Sequence, residues 1–173
     1  MTCKEQEEQK ILTICREKLS QKAYRDIFIL TYDRMRRYEG AWHLERQLMI
    51  PGYIFLECEN EEFLSEELGK HSDTAGYRNH LVRMSREEEG FLKKLCKEGY
   101  HLTMSKGIIY KGNTQITEGP LKGLENRIRR IDRHKRLAKL EMIKKSDELS
   151  RCGPKLSDTR YITAGLEITE KIV

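Results

Sequence analysis

Across the 173 residues no apolar run approaches the roughly 18 to 20 that a membrane span needs. The first ten residues are charged rather than apolar, so no signal peptide is expected. The cysteines (Cys3, Cys15, Cys58, Cys96, Cys152) are five in number, widely spaced and without any C-x-x-C. Neither a disulfide framework nor a zinc site is expected from them. Cys15, Cys58 and Cys96 fall on apolar stripes and read as small core residues in a reducing cytoplasm. Catalytic signatures are missing too. There is no P-loop, G-x-G-x-x-G, G-x-S-x-G or H-E-x-x-H, and the five histidines lack metal-ligand spacing. Cys58 lies on an apolar strand rather than beside a base, and Glu87-Glu88-Glu89 sit where helix capping accounts for them. No enzyme, cofactor or metal is expected. Repeats and low-complexity tracts are also lacking.

What the chain does have is charge, unevenly placed. Hydrophobic residues make up 38% and charged residues 35%, which suits a folded and highly solvated chain rather than a disordered one. Residues 1–110 carry 18 Lys and Arg against 19 Asp and Glu, whereas residues 111–173 carry 15 against 9. The excess behind the net charge of +5 therefore sits in the last third. A basic module joined to a near-neutral one suggests an anionic partner.

Periodicity predicts a helix over residues 4–20, with Ile11, Leu12, Cys15 and Leu19 on one face. Asp26–Thr31 and Tyr53–Cys58 read as strands, separated by a polar, arginine-bearing stretch over residues 33–48 and the Pro51-Gly52 turn. Asn60 is placed to cap a second helix carrying Phe63, Leu64 and Leu68. Leu81–Met84 reads as a third strand. Ser85 and Glu88 form a capping box for a helix with Phe91, Leu92, Leu95 and Cys96 on one stripe, ended by Gly99. From about residue 107 helical periodicity gives way to short strands and turns, as in a small β-barrel. The fold class expected is α+β.

Two segments together carry a family resemblance. Leu48-Met49-Ile50-Pro51-Gly52-Tyr53-Ile54-Phe55-Leu56 resembles the Pro-Gly-Tyr strand of the NusG N-terminal domain. Gln115–Asp132, with Gly119-Pro120, Gly123 and a strand ending at Ile131-Asp132, is similar to a KOW motif. Asn126 stands where that motif usually has glycine, and asparagine tolerates a left-handed turn better than most residues. Ala164–Ile168 resembles the closing strand of the KOW barrel, and Arg133-His134-Lys135-Arg136-Leu137-Ala138 resembles LoaP-type NusG paralogues. The resemblance implies an NGN α/β sandwich over residues 1–106, its first strand missing, and a five-stranded KOW barrel over 107–173. It implies a monomeric bacterial factor for transcription elongation and processive antitermination. Residues 144–160 read as an insertion between the last two barrel strands, where Lys144, Lys145, Arg151 and Lys155 either extend a basic surface or serve solubility.

Site expectations follow from charge and from the resemblance. Residues 121–139 hold Lys122, Arg127, Arg129, Arg130, Arg133, Lys135, Arg136 and Lys139 against Glu125 and Asp132. A small barrel cannot bury so many cations, since each unpaired buried charge costs several kcal/mol. Arginine grips phosphate with a planar fork and stacks on unpaired bases, so this segment, with His134, is the candidate contact for an RNA hairpin in the nascent transcript. The alternative is a solvated charged turn. Strict strand alternation cannot point both Ile128 and Ile131 inward, so a bulge or sharp twist is expected between them.

The resemblance further implies docking on the clamp helices of the RNA polymerase largest subunit, with Tyr32, Trp42, Ile50, Tyr53 and Phe55 as candidate anchors. For Ile54 and Phe55 ordinary core is the stronger reading. Arg34, Arg36, Arg37 and Arg46 either touch non-template or upstream DNA or are solvated loop residues. The alternatives are a general elongation factor whose barrel binds a termination factor or ribosomal protein, and a ribosome-associated KOW protein without polymerase contact.

Overall fold

The computed structural model describes residues 1–97, 99–142 and 161–172. It is an α+β protein whose chain divides into two compact units interleaved in sequence. The first comprises residues 1–30 and 50–83, the second residues 31–49 and 84–173.

In the first unit α1 (Glu8–Lys18) packs beside β1 (Asp26–Phe28), which pairs antiparallel with β4 (Phe55–Glu57). The helical stripe seen in the sequence is the buried one. Ile11, Leu12, Cys15 and Leu19 join Ile27, Ile54, Leu64 and Leu68 in one apolar cluster. Residues 1–3 run along 52–54, with a single antiparallel bridge from Thr2 to Tyr53 and a 2.9 Å bond from the Ile54 amide to the Met1 carbonyl. The second helix, α2 (Glu61–Lys70), begins where expected, because Asn60 accepts the Phe63 amide at 3.0 Å. A short α3 (Ser72–Ala75) and a 3₁₀ turn (Gly76–His80) follow. Leu81–Met84 is not the strand expected; it is irregular chain, with Leu81 packed against the cluster and Arg83 paired to Glu61 at 2.6 Å. A strand there would need a ladder neighbour, and none is present among the described residues.

In the second unit the polar stretch of residues 33–48 proves to be a β-hairpin, β2 (Thr31–Tyr38) with β3 (Ala41–Leu48), paired in unbroken register from Thr31↔Leu48 to Tyr38↔Ala41. Glu39 and Gly40 both take positive φ (51° and 79°), giving the tight turn whose twist matches the strands. β5 (His101–Leu102) lies parallel to β2. His101 is locked there, with Nδ1 2.8 Å from Thr31 Oγ1 and Nε2 2.8 Å from Asp33 Oδ1. α4 (Arg86–Cys96) carries the complete Ser85–Glu88 capping box and buries Phe91, Leu92, Leu95 and Cys96.

A five-stranded sheet completes this unit, made of β6 (Ser105–Tyr110), β7 (Asn113–Glu118), β8 (Ile128–Asp132), β9 (Leu137–Glu141) and β10 (Tyr161–Ile172). The order is β7-β6-β10-β9-β8, with β10 parallel to β6 and antiparallel to β9. Strand number agrees with expectation, but among the described residues the sheet is open: β7 and β8 are its edges rather than closing a barrel. The edge of β7 is partly capped. The Ile116 amide donates to the Glu125 carboxylate at 3.2 Å, so a side chain takes the group that a closing strand would use. The first strand begins at Ser105, two residues before the boundary read from sequence. Residues 144–160, including Lys144, Lys145, Arg151 and Lys155, lie outside the described residues. Among those described, no helix is long and apolar enough to cross a membrane.

Candidate nucleic-acid interface

The β8–β9 hairpin obeys two demands at once. Ile128 pairs with Leu140 and Ile131 with Ala138, so both isoleucines take the core side. Reaching this from positions three apart needs an extra residue, and the register slips between Ile128 and Arg130 as the sequence implied. In consequence Arg129 and Arg130, consecutive in sequence, are both exposed. The connecting turn is tied by Asp132, whose Oδ1 accepts the Lys135 amide at 2.9 Å. That turn holds Arg133, His134 and Lys135 out in solvent.

The eight candidate RNA residues separate by what they touch. Arg127 donates to the carbonyls of Glu141 (3.3 Å) and Met142 (2.6 Å), and its guanidinium lies 4.4 Å over the Phe91 ring, on the wall of an open cleft of about 290 Å³. Arg129 Nε donates to Glu141 Oε2 at 2.7 Å, neutralising a carboxylate that β9 otherwise buries. Arg136 stacks 4.0 Å over Trp42 and pairs with Glu167 at 2.9 Å, so it ties the β2–β3 hairpin to β10. These three are structural as much as they are surface. Lys122 is exposed near Glu125. Burial alone would raise the Glu125 carboxyl, but backbone amides and the Lys122 charge hold it below the usual range. Arg130, Arg133, His134 and Lys135, with Lys139 opposite Arg130, are exposed and have no side-chain hydrogen bond or ion pair among the described residues.

No family model and no curated protein matches the chain.

The polymerase-docking candidates fall in different units. Ile50 and Tyr53 belong to the first, Tyr32 and Trp42 to the second. Ile50 is 3% exposed and Tyr32 6%, so neither presents a surface anchor. Burial also raises the Tyr32 phenol above its ordinary range, with Arg34 opposing. Tyr53 and Trp42 are half-buried, the latter under Arg136. Ile54 and Phe55 are buried, as the core reading had them. Of the arginines proposed for DNA, Arg36 pairs with Glu45 at 3.5 Å, and Arg34 keeps its Nε buried without an acceptor. Arg37 and Arg46 are exposed on one face of the hairpin, the face that also holds Trp42. No local pattern signals that Glu141 takes Arg129, or that Trp42 and Arg136, far apart in the chain, meet. Both contacts depend on which strands become neighbours.

Proposed function

We propose that this chain is a NusG-like transcription elongation factor of the processive antiterminator kind. An NGN-like part docks on the clamp helices of RNA polymerase, and a KOW-like module, here an open sheet, binds an RNA hairpin in the nascent transcript. One observation carries the reading. Arg130, Arg133, Lys135 and Lys139 leave four cations without acid partners among the described residues, with His134 beside them, all on a single β-hairpin. Cations left exposed at that density produce a strong local field for a polyanion. The Pro-Gly-Tyr and KOW-like segments supply the transcriptional context, and Tyr53 and Trp42 are the anchors still partly accessible.

Binding of the full chain to a panel of structured RNAs at several salt concentrations tests this, read through the fluorescence of Trp42, the sole tryptophan. Tight binding to one hairpin that persists near 150 mM salt, weakened by Arg130→Ala with Lys139→Ala, is the expected result. Co-purification of RNA polymerase and terminator readthrough in a target operon complete the test, and unchanged readthrough on deletion of the factor would sink the antitermination reading. Internal engagement of Arg127, Arg129 and Arg136 leaves fewer cations for RNA than the sequence count suggested. That favours, as the second reading, a general elongation factor whose C-terminal module binds a protein. Weak salt-labile binding to every RNA is its signature.

A further inference from the structure

Three tyrosines are among the exposed large side chains of the described residues: Tyr38, Tyr110 and Tyr161. Two of them have a face covered. Tyr38 stacks on His43 with ring centroids 3.7 Å apart, and Lys111 lies 5.3 Å over Tyr110. Tyr161, 45% exposed, has no ring or cation on either face among the described residues. Its place in the sheet gives that open ring a context. Ile162, Ala164 and Leu166 of β10 point into the core, so Tyr161 and Thr163 stand on the opposite, outer face. Across the ladder Tyr161 is opposite Glu141 and Thr163 opposite Lys139, and Lys139 is opposite Arg130. Tyr161 is therefore diagonal to Lys139, within the roughly 7–8 Å that long side chains span, with Arg130 one strand beyond. The carboxylate between them is already occupied by Arg129, so it does not repel an anion as a free glutamate would.

We propose that Tyr161 is a stacking platform for an unpaired base of the bound RNA, whose flanking phosphates are held by Lys139 and Arg130. This deepens the RNA-binding reading and rests on it. A flat ring beside cations suits single-stranded nucleotides, whose bases can leave the stack, whereas a continuous duplex offers phosphates but no free base face. The ligand class is thus an RNA hairpin with an unpaired loop or bulge.

The test uses the full chain with two RNAs, a hairpin with an unpaired loop and its stem as a fully paired duplex, and the variants Tyr161→Leu, Tyr161→Phe and Arg130→Ala/Lys139→Ala. Tyr161→Leu is expected to weaken the looped hairpin about 5- to 150-fold, the span of base–aromatic stacking, and to leave duplex binding within about twofold. Tyr161→Phe keeps the ring and should bind like the parent. The double cation variant should weaken both RNAs. A second readout needs no variant: 2-aminopurine at a loop position should be quenched on binding the unaltered protein. If Tyr161→Leu changes neither RNA, or both equally, or no loop position is quenched, the stacking role is wrong while the RNA reading stands on the cation variant. Should the cation variant also leave both RNAs unaffected, the RNA reading falls and the stacking role with it.

Discussion

At the scale of single residues, the second unit turns on one glycine. Gly165 of β10 passes so close to β2 that a Cβ there would collide with Met104 Sδ and with the carbonyl oxygen of Asp33. Methionine can move, but the Asp33 carbonyl is backbone, and its carboxylate is fixed by His101 and by the Met104 amide at 3.2 Å. Gly165→Ala should cost about 1–3 kcal/mol, as overpacking does, read as a lower urea midpoint. The cysteines separate on burial. Cys15 and Cys96 are buried and their thiols are pushed up to about 11 by desolvation, whereas Cys3 and Cys58 are half-buried. At pH 8 a thiol of that pKa is about 0.1% thiolate; partial burial also raises the Cys3 and Cys58 thiols, but these two remain reachable by reagent, which the other two are not. Iodoacetamide should therefore modify Cys3 and Cys58 well before Cys15 and Cys96, which react only once denaturant opens the fold. Mass spectrometry of the tryptic peptides checks the order.

At the scale of elements, those with local signals were legible and those built by pairing were less so. The caps at Asn60 and Ser85 are local chemistry, and both helices start where those side chains put them. Ser85→Ala removes the acceptor of the Glu88 amide and should destabilise the fold by about 1 kcal/mol; Ser85→Asp, which keeps an acceptor, should recover most of it. Thermal or urea unfolding compares the two. The β2–β3 hairpin gave no such signal. Tyr32, Arg34, Arg36 and Tyr38 alternate with Asp33, Met35 and Arg37, so neither face is apolar enough to show period two. Its stability comes from an eight-residue ladder, a turn with positive φ at Glu39 and Gly40, and Trp42 under Arg136. The β8 bulge was readable because Ile128 and Ile131 impose contradictory faces on one short strand, and only an extra residue reconciles them.

At the scale of the whole molecule, the charge asymmetry predicts how binding should respond to salt. Each phosphate contact removed lowers the slope of log K against log salt by about 0.7–0.9. Arg130→Ala, Arg133→Ala and Lys135→Ala, measured singly, should each reduce the slope by about that amount for a structured RNA. Arg127→Ala should lower stability instead and leave the slope unchanged, because that guanidinium already serves the carbonyls of Glu141 and Met142 and the Phe91 ring. If Arg127→Ala shifts the slope as much as Arg130→Ala, the division between structural and binding cations is wrong.

By itself the sequence determined what depends on neighbours along the chain: the capped helices, the apolar stripes that form their buried faces, the turn-rich C-terminal third and its surplus of cations. Tertiary structure decided what depends on which strands lie side by side. Pairing β10 between β6 and β9 put Tyr161 diagonal to Lys139, and Glu125 took an edge amide of β7 in an open sheet. The Arg136 guanidinium came to 4.0 Å from the centre of the Trp42 ring although the two lie far apart in the chain. Helix caps and stripes are set by interactions within about one turn, so residue types at fixed spacing suffice to read them. The fate of a surface arginine depends on whether a carboxylate, carbonyl or ring from a distant strand reaches it first, and only the packed chain contains that.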